Sequence, residues 1–480
     1  MKKIIFFLKL IFLIFFIYNG LPYKNLSSNY QFFLSIVRIL YFSFFIIYLL
    51  KLKELSHIQF NENYKELNII CNILIASSLL IVLGVFTKFF VLFHFLLYLF
   101  LFRKSRANFF GIEQSYHQIM GIFFIFSNSN LYFSFDRLFE IKHFFIFKDS
   151  ASLNFLVLSI SVCLISGFYE KLNSKVWKSG NALSIFLNLP HVATIRFNKT
   201  FAKIFFNKYV CYFALINQAL LFTLFFNDLR LFFYIGELIF SISLIFLTPI
   251  SYIGATFALV FSLLITTELI NLNYLSFVEE IGLENNSYKL YFIDYFLGFL
   301  ILNSFVACFY KIPLFFDKIN RYTLGLSPFS VYTEIHIYGI RVFKISGFYN
   351  SKLVHNSLFE VYNEQGRVGP EYFLKPSIMF GLTYRIADIC ERRLGKNSTQ
   401  YDEKILISLF KNTIDLNKKK INDTDVLKLY VKTINPTNET NNPNNWIDKD
   451  WSEIAQYNIS KVNSFNWTGL PSIATKIFRK

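Results

Sequence analysis

The chain is punctuated by apolar runs, each long enough or nearly long enough to cross a bilayer, with Lys and Arg gathered between them. A crossing helix takes roughly 17–25 residues. Candidate runs lie near 3–18, 31–50, 67–84, 89–102, 115–131, 152–168, 209–226, 231–247, 252–270 and 290–310. Backbone polar groups at bilayer depth must bond within their own segment or close a barrel. These runs lack the polar-in, apolar-out alternation of a barrel, so they predict helices. The fold class that follows is an all-α polytopic membrane bundle of about 9–10 spans, with a small α+β extramembrane domain at the C-terminus.

Composition supports this. Of 480 residues, 54% are hydrophobic and 16% charged, where a soluble domain is nearer a quarter charged. Counts of 63 Phe and 29 Tyr against 18 Gly and 10 Pro exclude collagenous, linker-like and disordered classes. The net charge of +17 sits in loops, not in a basic run interleaved with stacking aromatics. Membrane lipids, not nucleic acid, are therefore the expected partners. The expected location is integral to a membrane, the cell (inner) membrane.

With an inside N-terminus and ten spans, Lys51/Lys53/Lys65, Arg103/Lys104/Arg106 and Lys171/Lys175/Lys178 all fall on the inner side, as positive-inside bias asks. Run 3–18 reads as an uncleaved anchor, because Asn19-Gly20-Leu21-Pro22 lacks the small-residue cleavage pattern of a signal peptide. Between 180 and 208 apolar residues at helical spacing, broken by Pro190, alternate with basic ones. That segment reads either as interfacial helices or as helices packed on the bundle.

Four regions result: an anchor and loop over 1–30, a transmembrane domain over 31–311, an α+β domain over 312–436, and a polar loop and tail over 437–480. In the third, 331–346 and 357–362 alternate like strands, Asn363–Gly366 forms a turn, 376–394 and 402–418 are helical, and 425–434 returns to strand. Asn-x-Ser/Thr triplets such as Asn25 and Asn438 are expected by chance in an Asn-rich chain.

Cys71, Cys163, Cys211 and Cys308 lie in apolar segments and Cys390 in a polar one, with no CxxC. They read as buried structural thiols, and no metal is expected. P-loop, GxGxxG, GxSxG and HExxH patterns are absent. What remains are polar residues at membrane depth, which are costly there and mark candidate sites. Glu113 and His117, at i and i+4, share a helix face; they can handle a proton or simply satisfy one another at a helix entry. Asp136 beside Arg137 reads as an interfacial ion pair and helix cap. Lys171 closes an apolar helix, with Trp177 nearby. Desolvation and neighbouring positive charge can poise such a lysine as a base, whereas the ordinary alternative is a snorkelling Lys with Trp177 as interfacial anchor.

The order of these pieces resembles the horizontally transferred transmembrane (HTTM) domain of vitamin K-dependent gamma-carboxylases and their bacterial relatives. The matching residues are Arg38, Leu83-Gly84 with Thr87-Lys88, Tyr116-His117, Tyr132-Phe-Ser134-Phe-Asp136-Arg137-Leu138, and Ser166-Gly167…Lys171-Leu172-Asn173…Trp177…Gly180. They span roughly 31–310. The resemblance implies a Lys base at Lys171 that deprotonates reduced vitamin K or a related quinol. The oxygenated quinol then becomes a stronger base, which takes a proton from a peptide Glu so that CO2 can add. It implies His117 and Glu113 beside the same cavity, Asp136 and Trp177 near the cofactor, and a peptide substrate. The family's late-span His has no counterpart in 231–275, where Glu237 and Glu268 are the acidic residues. A non-catalytic protein for secreted-peptide maturation, export or toxin immunity is the alternative expectation.

Overall fold

The computed structural model describes residues 26, 28–54, 64–104, 111–141, 149–180, 182–183, 208–247, 251–271, 340–360, 389, 400–418, 420–434, 451–459 and 464–468. It is mostly helical, with a small antiparallel sheet toward the C-terminus. In chain order the first part holds α1 (Ser28–Glu54), α2 (Tyr64–Leu83), α3 (Thr87–Lys104), α4 (Gly111–Phe126), the single turn α5 (Phe135–Leu138), α6 (Asp149–Asn173), the single turn α7 (Lys175–Lys178), α8 (Lys208–Ala219) running into a 3-10 helix (Leu220–Phe225), α9 (Asn227–Leu247) and α10 (Ser251–Asn271). Eight expected apolar runs thus fall on helices. Runs 3–18 and 290–310, and most of 180–208, lie outside the described residues.

Three helical stretches are long and apolar enough to cross a membrane: Asn29–Lys53, Leu229–Phe246 and Ser251–Ile270. Asn68–Leu83 and Thr87–Leu101 are apolar but shorter. Each helix divides by face as helical spacing dictates. On α1, Tyr30, Leu34, Val37, Tyr41, Phe45, Tyr48 and Leu52 are buried, while Leu40, Ile47 and Leu50 face out. On α9, Leu229, Phe232, Ile235, Ile239, Ile242 and Phe246 form an exposed apolar stripe behind buried Phe233, Tyr234 and Glu237. A stripe of that kind is costly in water and at home against acyl chains.

Contacts fix the helix directions. Gln31 at the start of α1 bonds Asp149 at the start of α6 (3.0 Å), so these two run parallel. Asn128, just past α4, donates its amide to Asp149 (2.8 Å), so α4 runs back against α6. Lys53 at the end of α1 reaches Asn72 near the start of α2 (2.6 Å). One end of the bundle therefore gathers Gln31, Gly84, Asn128, Asp136 and Asp149. The other gathers Lys53, Glu113 and Lys171.

The second part is a five-stranded antiparallel sheet, order β2-β1-β3-β4-β5, built from β1 (Ile340–Tyr349), β2 (Lys352–Glu360), β3 (Val426–Ile434), β4 (Ser452–Asn458) and β5 (Ser464–Trp467). Helix α11 (Gln400–Leu416) covers one face. Its Leu406, Leu409 and Phe410 meet Phe343, Ile345, Leu427, Leu429 and Tyr457. Phe410 stacks on Tyr457 at 5.5 Å.

Two expectations change here. The break placed between 346 and 357 is a tight hairpin, in which Asn350 and Ser351 take φ of 47° and 64° and Tyr349 pairs with Lys352. Two consecutive left-handed residues match the twist of the flanking strands. The region read as polar loop and tail supplies β4 and β5, so the sheet runs past the boundary set at 436. Expected elements at 331–339, 363–366 and 376–394 lie outside the described residues apart from Ile389, which is buried in the sheet's core.

Candidate functional site

The helical part buries three polar centres. The first closes the turn between α2 and α3. Gly84 adopts φ +72°, and a Cβ there would collide with Ser134 and reach within 3.3 Å of the Arg38 guanidinium. Helix α3 begins after Val85-Phe86, neither of which can cap it. The carboxylate of Asp136 does so instead, accepting the amides of Phe86 (2.6 Å) and Thr87 (2.9 Å), while the Asp136 amide donates to Gly84 O (2.9 Å). A helix N-terminus carries unmet N–H groups and partial positive charge, so an acid there is well placed. Arg38, fully buried, donates to the carbonyls of Ser129 (2.8 Å) and Phe133 (2.7 Å). Ser134 donates to Asn130 O and accepts the Arg137 amide, and Lys88 reaches Asn128 (3.0 Å). Asp136 is thus a structural cap in this geometry, and the helix it caps lies 50 residues upstream in sequence.

The second centre lies among α1, α2, α3, α4 and α10. The Tyr41 hydroxyl is 2.5 Å from His117 Nδ1, His117 Nε2 is 3.3 Å from His94 Nε2, and His94 Nδ1 is 3.0 Å from Ser77 Oγ. Phe45 stacks on the His117 ring at 3.9 Å, and Tyr98 meets it edge-on at 4.1 Å. Alongside, Tyr48 donates to Glu113 Oε2 (3.1 Å). Glu113 and His117 do share a face of α4, yet each has a different tyrosine of α1 as its partner. Both are buried, so neither is a solvated helix entry.

The third centre surrounds Lys171. Its Nζ donates to Gln218 Oε1 on α8 (3.2 Å) and stands 5.0 Å above the Trp177 ring. Lys171 is 8% exposed and Trp177 4%, so neither the snorkelling head nor the interfacial anchor is realised within the bundle. Asn217, next to Gln218, donates to Glu237 on α9 (2.9 Å), and Glu237 lies within electrostatic reach of the Lys171 amine. Gly236 makes room for this contact: a Cβ there would overlap the Asn217 amide. Arg230 in the first turn of α9 pairs with Glu268 in the last turn of α10 at 3.4 Å.

The geometry therefore separates the expected site residues. Lys171 and Trp177 share one centre, Glu113 and His117 a second, and Asp136 a third at the opposite end of the bundle. At about 1.5 Å per helical residue, Lys171 lies about 33 Å from the Asp149 end of α6, whereas Ser77 and His94 lie only about 10 Å from the α2–α3 turn, so the histidine centre sits between the other two. The sequence reading missed Tyr41, His94, Gln218 and Glu237 as functional partners. Each is a polar group within an apolar run, and that was the available signal. Comparisons with protein-family models, with curated proteins and with solved structures found no match.

Proposed function

We propose that this chain is an HTTM-type membrane enzyme, crossing the membrane about nine or ten times, in which Lys171 serves as base in a quinol-linked carboxylase- or oxidase-type reaction. The observation that carries the reading is the Lys171 amine itself: buried, held by one amide oxygen, and facing an indole ring. The surrounding donors suit an aromatic hydroxyl. An amine can take its proton, the Gln218 carbonyl can orient that amine, and Trp177, Cys211, Leu183 and Leu215 supply apolar wall. A reduced quinol, when bound, supplies the acidic hydroxyl and, with oxygen, the strong base that attacks a carbon acid. Lys171 would accept the proton at Nζ. Gln218 would fix the direction of the amine, and Glu237, held by Asn217, would balance the ammonium so formed. Trp177 would exclude water from that face.

The test is quinol turnover in lipid nanodiscs supplied with reduced vitamin K and oxygen, following epoxide by mass spectrometry. Epoxide from wild type and none from a folded Lys171→Ala is the expected result. No epoxide from either folded protein would remove the assignment. A second reading, a non-catalytic protein for peptide maturation, export or immunity, draws support from α9 and α10. Their acids Glu237 and Glu268 are engaged with Asn217 and Arg230, and no His stands there.

A further inference from the structure

The second centre stands apart from Lys171 and has its own chemistry. Ser77 donates its hydroxyl to the Leu74 carbonyl (2.9 Å), so its oxygen must accept from His94, which places a proton on His94 Nδ1. His94 Nε2 is then a bare acceptor facing His117 Nε2 at 3.3 Å. Two imidazole lone pairs do not face each other at that distance, so His117 carries its proton on Nε2. Its Nδ1 in turn accepts from Tyr41. Hydrogen bonds therefore run in one direction, from Tyr41 through His117 and His94 to Ser77, and cross from α1 to α4 to α3 to α2. All four residues are buried, so solvent competes little for the bonds between the two ends of the run. Beyond the Tyr41 end lies the Tyr252 hydroxyl, which is buried and approaches the Tyr41 hydroxyl. Beyond the other end, Ser78 Oγ lies 3.4 Å from His94 Nδ1, a second hydroxyl within reach of that proton.

We propose that Tyr41, His117 and His94 form a proton relay inside the bundle. An imidazole can pass a proton because it accepts on one nitrogen while releasing from the other. A proton delivered by water to the Tyr41 oxygen releases the tyrosine's own proton to His117 Nδ1. His117 passes its Nε2 proton to His94 Nε2, and His94 gives up its Nδ1 proton to water beside Ser77 and Ser78. On the protein, one O–H and two N–H bonds form as one O–H and two N–H bonds break, so one proton enters, one leaves and no charge remains. Both imidazoles end with the opposite tautomer. The Tyr252 hydroxyl beside Tyr41 provides the entry side with a donor or acceptor as Tyr41 changes role.

A relay differs from two independent buried histidines in one respect: a change at one end must be felt at the far ring. The experiment is nitrogen NMR of full-length protein labelled at histidine nitrogens, in nanodiscs. The chain has 7 His, and His94→Asn and His117→Asn assign the two of interest. Wild type should show His94 protonated at Nδ1 and His117 at Nε2. Tyr41→Phe keeps the ring and removes the donor at His117 Nδ1, so the nitrogen signals of both imidazoles should shift together. From the other end, Ser77→Ala should alter the His117 signals as well as those of His94. Should Tyr41→Phe fail to fold, the Ser77→Ala arm decides alone. A His94 spectrum unchanged by Tyr41→Phe, or a His117 spectrum unchanged by Ser77→Ala, would overturn the relay.

Discussion

Asp136 shows how much one side chain can hold in place at the α2–α3 turn. Both of its oxygens take backbone amides that α3 leaves open, and they do so where water is scarce. Asp136→Ala should cost about 2–3 kcal/mol, the scale for hydrogen bonds to a charged group with buried donors left unmet. A lowered melting temperature of detergent-solubilised protein is the measurement, and an unchanged one would mean that the amides find another acceptor. Gly84→Ala should be at least as damaging, since it combines a left-handed backbone with a collision against Ser134. The sequence made Asp136 legible as a cap, but the reading paired it with its neighbour Arg137. The missing clue was a helix opening on Val85-Phe86-Thr87, whose donors needed an acceptor from elsewhere. Gln218 was hidden for a similar reason. Its partner Lys171 is 47 residues away, and no local spacing joins them.

At the scale of elements, legibility followed period and sequence distance. Helix α11 and strand β3 could be read because their apolar residues recur at about 3.6 and 2 residues and face one core. Leu406, Leu409 and Phe410 are buried on α11 as Leu427 and Leu429 are on β3. Strands β4 and β5 escaped because they are short and gain their structure from pairing. Val426 lies opposite Asn458, and Ala455 opposite Trp467. Even so, Ile454, Ala455 and Tyr457 are buried, and Lys428 pairs across to Glu453 at 2.9 Å. Phe410→Ala should remove about 3–5 kcal/mol from this unit, the usual range for a large buried aromatic. Limited proteolysis should then cut within 400–468 much faster while the helical bundle stays protected. Equal cutting rates in both proteins would show that α11 contributes little to the sheet's stability.

Across the whole molecule, helix direction sorts the loops between two ends. Lys53 at the end of α1 lies at the same end as Lys171 and Lys178 beyond α6, while Glu140 follows the capping turn at the opposite end. Basic residues stand at the Glu140 end too, Lys88 and Arg137 among them, so helix direction decides which positions share an end. Single cysteines at Lys53 and Lys178, placed in a background lacking the native thiols, should react with an impermeant maleimide from the same face of the membrane. A cysteine at Glu140 should react from the other. Labelling of Lys53→Cys and Lys178→Cys from opposite faces would require a different path for α1 or α6.

The α2–α3 turn also has a consequence in time. A ribosome delivers residues 84–87 well before residue 136, so the first turn of α3 is made without the acid that completes it. Until the segment after α4 arrives and Arg38 grips the carbonyls of Ser129 and Phe133, the first two helical hairpins have no fixed mutual arrangement. The nascent chain therefore locks late, once about a third of it has been made, and an insertion factor or early neighbour would have to shelter the open amides during that interval.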